Sequence, residues 1–470
     1  MARRMLSVLL VELYYTYMTR HCRIFVAVLL NCSLLPVALM AQEQDARSPM
    51  TLHDCMEYAV SNSTKMRIQA ADRSDERWQH RHAVLSAFTP GFTASTYLYD
   101  QFGRNIDPET NTYKNVTSIH NGYSVSASIT LFDGFQAVNN VRMSATAMKM
   151  GLSQEIQERD KICLATIEAF SNVIYYTEMV NVIESQVESA GIALRRAVRQ
   201  EELGQKGHAD VVQMESELAQ KEYLLITNRN ERDNAILTLK DIMFWPAGEE
   251  LLLDTDIEQP ACTIVDRAGL TSNAKESLPS AKIASFNVYN ASLGLKIARG
   301  AYSPSLSLFG GWSTSYYTYP GRVDYSPDPF ASQFRNNGGE YLELSLSVPL
   351  YSQLRRRTAL SQKKNALVRA EAQYDQTMRD IENEVVRAMN DRDGARSAFY
   401  QAERLADVQQ EAYQLSTKQF ELGMISAIEY QTASQTYLNA MAERMNSLLQ
   451  LRIKDAVVRY YNGEPYIDQY

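Results

Sequence analysis

Two short segments place acidic side chains at matched positions. Gly207-His-Ala-Asp210 follows Leu203-Gly204, and Ser426-Ala-Ile-Glu429 follows Leu422-Gly423. Ser-x-x-Glu is a capping box: the hydroxyl accepts from the N–H three residues on, and the carboxylate accepts from the serine's own N–H. Gly207 with Asp210 is a weaker version, a carboxylate in the electropositive first turn of a helix. Gly204 and Gly423 are placed to end the preceding helices. Other chemistry is scarce. The sequence holds no phosphate loop, His-Glu-x-x-His or nucleophile elbow. His80-x-His82 falls in a helical stretch, where residues i and i+2 do not share a face, so no metal site is expected there. We expect no enzyme and no cofactor.

The chain has 470 residues, is 45% hydrophobic and 22% charged, and carries a formal net charge of −8. That balance excludes disorder and lacks the basic footprint of a nucleic-acid binder. The N-terminus reads as an export signal. Basic Arg20-His21-Cys22-Arg23 precedes an apolar run from Ile24 to Met40, and the chain turns polar after Ala41-Gln42. Residues 1–41 are read as the signal peptide, with Met18 as the alternative start and Cys32 as a disfavoured lipid anchor. Of five cysteines, Cys55, Cys163 and Cys262 lie beyond it, an odd and scattered set that makes a poor disulfide framework. No later apolar run has the length of a membrane-spanning helix.

The chain also repeats itself. Leu131 in Ser-Ile-Thr-Leu-Phe-Asp-Gly134 and Leu350 in Ser-Val-Pro-Leu-Tyr-Ser-Gln353 stand 219 residues apart, as do Gly204 and Gly423. Pro90 and Pro304 match at an offset of 214, which leaves a net insertion of five residues in the second half. Each half therefore reads as helix, strand, polar loop, strand, very long helix, glycine turn and shorter returning helix. The repeats are taken as residues 42–262 and 263–470.

Residues 123–131 alternate strictly: Tyr123, Val125, Ala127, Ile129 and Leu131 against Ser124, Ser126, Ser128 and Thr130. Residues 341–350 do the same with Leu342, Leu344, Leu346, Val348 and Leu350. Partner strands are expected at 91–99 and 305–316. Period-two alternation describes any half-buried strand. The strand length, the small hydroxylic face and the long loops favour a membrane barrel. The chain holds 28 tyrosines, and those flanking the hairpins (Tyr97, Tyr99, Tyr113, Tyr123, and Tyr316, Tyr317, Tyr319, Tyr341 with Trp312) are expected as interfacial girdles. Four strands cannot close a barrel without leaving backbone unpaired in lipid, so several copies must share one.

Proline is absent from Gln136–Glu202 and from Leu354–Glu421. In the second segment Leu360, Leu367, Tyr374, Ile381, Ala388, Ala395 and Ala402 form one heptad row, and Met378, Val385, Arg392, Phe399, Ala406, Tyr413 and Phe420 another. Arg355-Arg356-Arg357 marks a solvated strand exit, with anionic lipid as a secondary contact.

Together, the doubled strand exits at Leu131-Phe-Asp-Gly134 and Leu350-Tyr-Ser-Gln353 and the doubled Glu-Leu-Gly tips at 202–210 and 421–429 resemble the TolC-like outer-membrane efflux proteins. The resemblance implies a mainly α chain with a membrane β-barrel portion. It implies a homotrimer in outer-membrane lipid, with twelve shared strands and a periplasmic helical tunnel. It further implies a periplasmic adaptor at the tips (Leu203, Gly204, Gly207, Leu422, Gly423, Ser426) and an inner-membrane RND or ABC pump. An acidic ring at the mouth is implied, which Glu429 and Asp210 fit, while Thr432 stands at a second acidic position. Phe420 and Ile425 replace the family's Tyr–Arg latch, so closure by apolar packing is expected. The alternative is a periplasmic coiled-coil or adaptor protein without a pore.

Overall fold

The computed structural model describes residues 49–470 apart from 107–110, 116, 256–265, 321–325 and 327. The expected signal peptide, with Met18, Cys22 and Cys32, and the thiol of Cys262 lie outside the described residues. Met50 and the segment Glu250–Asp254 form a small unit of their own, joined by a parallel bridge between Met50 and Leu253. The larger unit holds everything else that is described below.

In the first repeat, α1 (Leu52–Asn62) and α2 (Thr64–Phe88) lead to β1 (Gly91–Gln101). A small hairpin of β2 (Arg104–Ile106) and β3 (Tyr113–Asn115) follows, then β4 (Ser118–Phe132), α3 (Gln136–Glu202) and α4 (His208–Met243). The second repeat runs α5 (Arg267–Ser277), α6 (Pro279–Gly300), β5 (Ser305–Thr318), α7 (Phe330–Asn336), β6 (Gly339–Ser347), α8 (Arg355–Glu421) and α9 (Ala427–Tyr461). Both long helices have 67 residues, roughly 100 Å at 1.5 Å per residue.

Several expected boundaries are corrected. The first helix of each repeat is two helices. Ser63 caps the second of them through its hydroxyl, which accepts from Lys65 N–H, and Leu278 is driven out of the helical region by Pro279. β1, β4 and β5 extend beyond the expected ends. β6 stops at Ser347, because Pro349 has no N–H to continue a ladder. The heptad rows of α8 become buried from Ile381 onward, whereas Leu360, Leu367 and Tyr374 are only half-buried.

The four long strands form one antiparallel sheet in the order β1-β4-β5-β6. The helices beneath pack in the matching order α2, α3, α6, α8. Register sorts the side chains by face. Phe92, Val125 with Trp312, Leu308 with Leu344, and Leu306 with Leu346 share the apolar face, while Ser95 with Ser124, and Ser126, share the other. The Ser95 and Ser124 hydroxyls are hydrogen-bonded at 2.7 Å.

This register corrects the expected tyrosine girdle. Tyr123, Trp312 and Tyr316 lie on the apolar face, where Phe330 and Phe334 of α7 pack against them. Tyr97, Tyr99, Tyr317 and Tyr341 lie on the hydroxylic face, because they fall at the opposite parity. Beyond Ser313, β5 has no β6 neighbour, and α7 supplies the missing partners. Gln333 accepts from Tyr317 N–H at 3.0 Å and donates to Tyr317 C=O at 3.0 Å, and Asn337 donates to Ser315 C=O at 2.8 Å.

Both strand-to-helix exits turn through two successive left-handed residues: Gly134 (φ 71°) and Phe135 (66°), then Gln353 (50°) and Leu354 (64°). At the first exit the backbone presses against Gly300. A Cβ on Gly134 would collide with Gly300 O and stand 2.7 Å from Ser303 Cβ.

Candidate functional site at the hairpin tips

Each long helix ends in a Schellman turn. Gly204 (φ 72°) donates to Glu201 O and Gln205 to Gln200 O, both at 2.8 Å. Gly423 (φ 73°) donates to Phe420 O at 3.0 Å and Met424 to Gln419 O at 2.9 Å. Glycine takes this backbone without a Cβ penalty, so the same sequence signal builds the same bend twice.

The returning helices start differently. The expected capping box forms at Ser426: its N–H and its hydroxyl both donate to Glu429 Oε2, at 2.8 and 2.9 Å, and Glu429 N–H donates back to Ser426 Oγ at 3.3 Å. These bonds hold the Glu429 carboxyl below its ordinary range. Glu429 itself is exposed. Gly207 caps α4 with no side-chain bond, and Asp210 sits half-buried in its first turn. Thr432 turns its hydroxyl back to Ile428 O at 2.8 Å, so it offers no donor outward.

Phe420 and Ile425 join an apolar cluster with Ala193, Ala197, Val211, Met214, Tyr413 and Tyr430. Phe420 stacks on Tyr430 with ring centroids 4.9 Å apart, and Tyr413 stacks on Tyr437 at 5.3 Å. The cluster that holds Phe420 and Ile425 has a cationic neighbour that sequence reading missed. Lys206, from the first tip, holds its Nζ 3.7 Å from the Phe420 ring centroid. Burial pulls the Lys206 ammonium below its ordinary pKa, opposed by Asp210. Arg196 of α3 pairs with Glu421 of α8 alongside. Higher up, Glu217 and Lys221 form an ion pair at 3.5 Å that is 2% and 1% exposed, and Lys221 reaches Gln435 of α9 at 3.4 Å.

The residues expected to face an adaptor stand outside this core. Leu203 and Leu422 are exposed, as are Met424 and Ile428, so the tips present apolar side chains on two capped turns. Gly204, Gly207 and Gly423 are open, with nothing within 4 Å of an added Cβ. The expected His80 sits on α2 with Nδ1 3.0 Å from Ser144 Oγ, and among the described residues no group of His, Cys, Asp and Glu is arranged to hold a metal. Cys55 and Cys163 are both free and buried, and burial pushes each thiol up to about 12. No described helix is long and apolar enough to cross a membrane.

Residues 270–463 match the family model described as outer membrane efflux protein. That segment, about two fifths of the chain, is similar to the family. The matched segment lies within the second repeat, and the first repeat carries its long strands and helices in the same order. The chain also shares its fold with solved outer-membrane channels. CusC superposes with a TM-score of 0.73 at 14% identity, covering 88% of this chain and 92% of that one. VceC of Vibrio cholerae gives 0.70 at 13% identity over 88% and 96%, and CmeC of Campylobacter jejuni 0.70 at 17% over 88% and 86%. A comparison with curated proteins finds no match. The family is one of outer-membrane efflux channels and not of enzymes.

Proposed function

We propose that the chain is one protomer of a homotrimeric exit duct in the outer membrane, reaching into the periplasm. It conducts solutes passively from a periplasmic adaptor and an inner-membrane RND or ABC pump. One observation carries this reading: a face-sorted sheet and a helix layer are stacked in the same order, and both are open at the same two edges. Among the described residues, β1 and β6 each lack a second neighbour. Ile68, Trp78, Leu85 and Phe88 are exposed on edge helix α2, and Val368 on edge helix α8. Open strand edges cannot face lipid. Pairing β6 and α8 of one copy with β1 and α2 of the next closes both layers at once. Three copies is the number implied by the family resemblance.

At the mouth, Glu429 and Asp210 form the acidic lining, Phe420 and Ile425 pack as the closing element, and Thr432 takes no polar part. Leu203, Gly204, Gly207, Leu422, Gly423 and Ser426 form the adaptor-facing tips. A periplasmic coiled-coil protein without a pore would have no use for the apolar sheet face. Planar-bilayer recording of the purified protein tests the reading: a cation-selective channel is expected, and Glu429→Gln should reduce that selectivity. No channel, together with extraction in buffer without detergent, would overturn it.

A further inference from the structure

We infer that the hydroxylic face of the sheet carries a stacking station for flat organic cations. The inference rests on the reading of the chain as a duct, in which that face lines the lumen. The observation is a ladder of rings across three strands. Tyr97 and Tyr99 of β1 are stacked with centroids 5.8 Å apart and planes 18° apart. Tyr99 stacks on His120 of β4 at 4.9 Å and 12°, and His120 faces Tyr317 of β5 at 6.4 Å. Register makes the ladder continuous, since His120 pairs with Tyr99 on one side and with Tyr317 on the other.

The backbone makes room for these rings. Tyr97 lies over Gly122, where any Cβ would meet its ring and would stand 2.5 Å from its hydroxyl. The same device recurs lower on the sheet, where Tyr341 lies over Gly311 and an added Cβ would be 2.9 Å from the ring. Two glycines thus leave space for two tyrosines on one face. Tyr97 and Tyr99 nevertheless remain 56% and 47% exposed, so the ladder still offers ring surface to a solute.

Charge selects the occupant. Aromatic faces are negative and attract cations. Among the described strand residues on this face, Glu343 is the one with a formal charge, and it sits between Tyr341, two residues away on β6, and its cross-strand partner Phe309. A flat cation can stack on Tyr97 and Tyr99, while Glu343, which lines up through Phe309 and Ser128 with Gly91, six residues along β1 from Tyr97, adds negative charge to the same face without touching the ladder. An aliphatic cation has no plane to stack, and a flat anion is repelled by the negative ring faces.

The test uses the full-length protein in a planar bilayer, with ethidium as probe and tetraethylammonium as the aliphatic control. Ethidium should interrupt the current, with dwell times read against each channel's own open level. The double variant Tyr97→Leu/Tyr99→Leu should shorten the ethidium dwell about tenfold, the scale of two lost ring contacts. It should leave tetraethylammonium block where it was. Tyr99→Phe keeps the ring and should retain the dwell. An ethidium dwell that is unchanged in the double variant overturns the station while the duct stands. If no current is seen at all, the duct reading fails, and ethidium anisotropy with detergent-solubilised protein then decides the ladder. Equal affinity for wild type and double variant overturns it.

Discussion

Replacing Gly134 with alanine should cost far more than the same change at Gly204, although the two backbones are nearly the same. Their φ angles are 71° and 72°. A left-handed non-glycine residue costs about 1–2 kcal/mol, and both variants bear that cost. At Gly204 nothing lies within 4 Å of the new methyl. At Gly134 the methyl meets the Gly300 carbonyl and stands 2.7 Å from Ser303 Cβ. The carbonyl is backbone and cannot swing aside as a side-chain tip can, so α3 or α6 must shift. Overpacking of this kind adds about 1–3 kcal/mol, giving roughly 2–5 kcal/mol in all. Thermal unfolding followed by circular dichroism at the helical minimum, in one detergent, compares the variants directly. The expected order of stability is wild type, Gly204→Ala, then Gly134→Ala by a clear margin. Equal midpoints for the two variants would refute the reasoning, because they would mean that the contact with Gly300 is absent or soft. Gln353→Gly is the converse, since it removes a left-handed non-glycine residue at the equivalent exit and should stabilise by about 1 kcal/mol.

Lys221→Met should destabilise the protein by about 3–5 kcal/mol, since it strands the Glu217 carboxylate in a buried site, whereas the double variant Glu217→Leu/Lys221→Met should be neutral or stabilised in the same unfolding measurement. Lys206→Met removes the cation from the Phe420 ring and with it one contact between the two tips, so channel recording should show a higher open probability, and Phe420→Leu should do the same. The capping boxes at Ser426 and at Thr51 lower the carboxyl pKa values of Glu429 and Asp54 from their ordinary 4.5 and 3.8. A depressed carboxyl stabilises the fold above its unfolded value and loses that contribution as pH falls through the folded one. Hydrogen-exchange protection at the starts of α1 and α9 should therefore be constant from neutral pH to about 5 and decline below. The variants Asp54→Asn and Glu429→Gln should flatten that decline.

The long elements were legible because each has a simple period. Gln136–Glu202 holds no proline, and Leu342, Leu344 and Leu346 alternate without a fault. The breaks at Ser63 and Leu278 differ in kind. Pro279 was a signal in plain view, while Ser63 resembles many serines that sit quietly in helices. The tyrosines were read by type when parity already separated them, since Tyr97 and Tyr99 are odd-numbered beside even-numbered Phe92 and Leu98. At the tips, Glu429 and the glycines follow from local chemistry within four residues. Lys206 on Phe420, and Lys221 with Gln435, join residues more than 200 positions apart in different hairpins, and no local pattern encodes such a meeting.

The matched order of strands and helices has a consequence for assembly. The seam between repeats, β4 on β5 above α3 on α6, is of the same kind as the seam that one copy would make with the next in the proposed ring. In that proposed ring, tethering the repeats would turn half of the seams into intramolecular events, at an effective concentration set by the connector rather than by encounter. Covalent linkage also frees the two kinds of seam to diverge. A residue changed at the inner seam leaves the outer one untouched, so one set of joints can stay rigid while the alternate set is adjusted to yield.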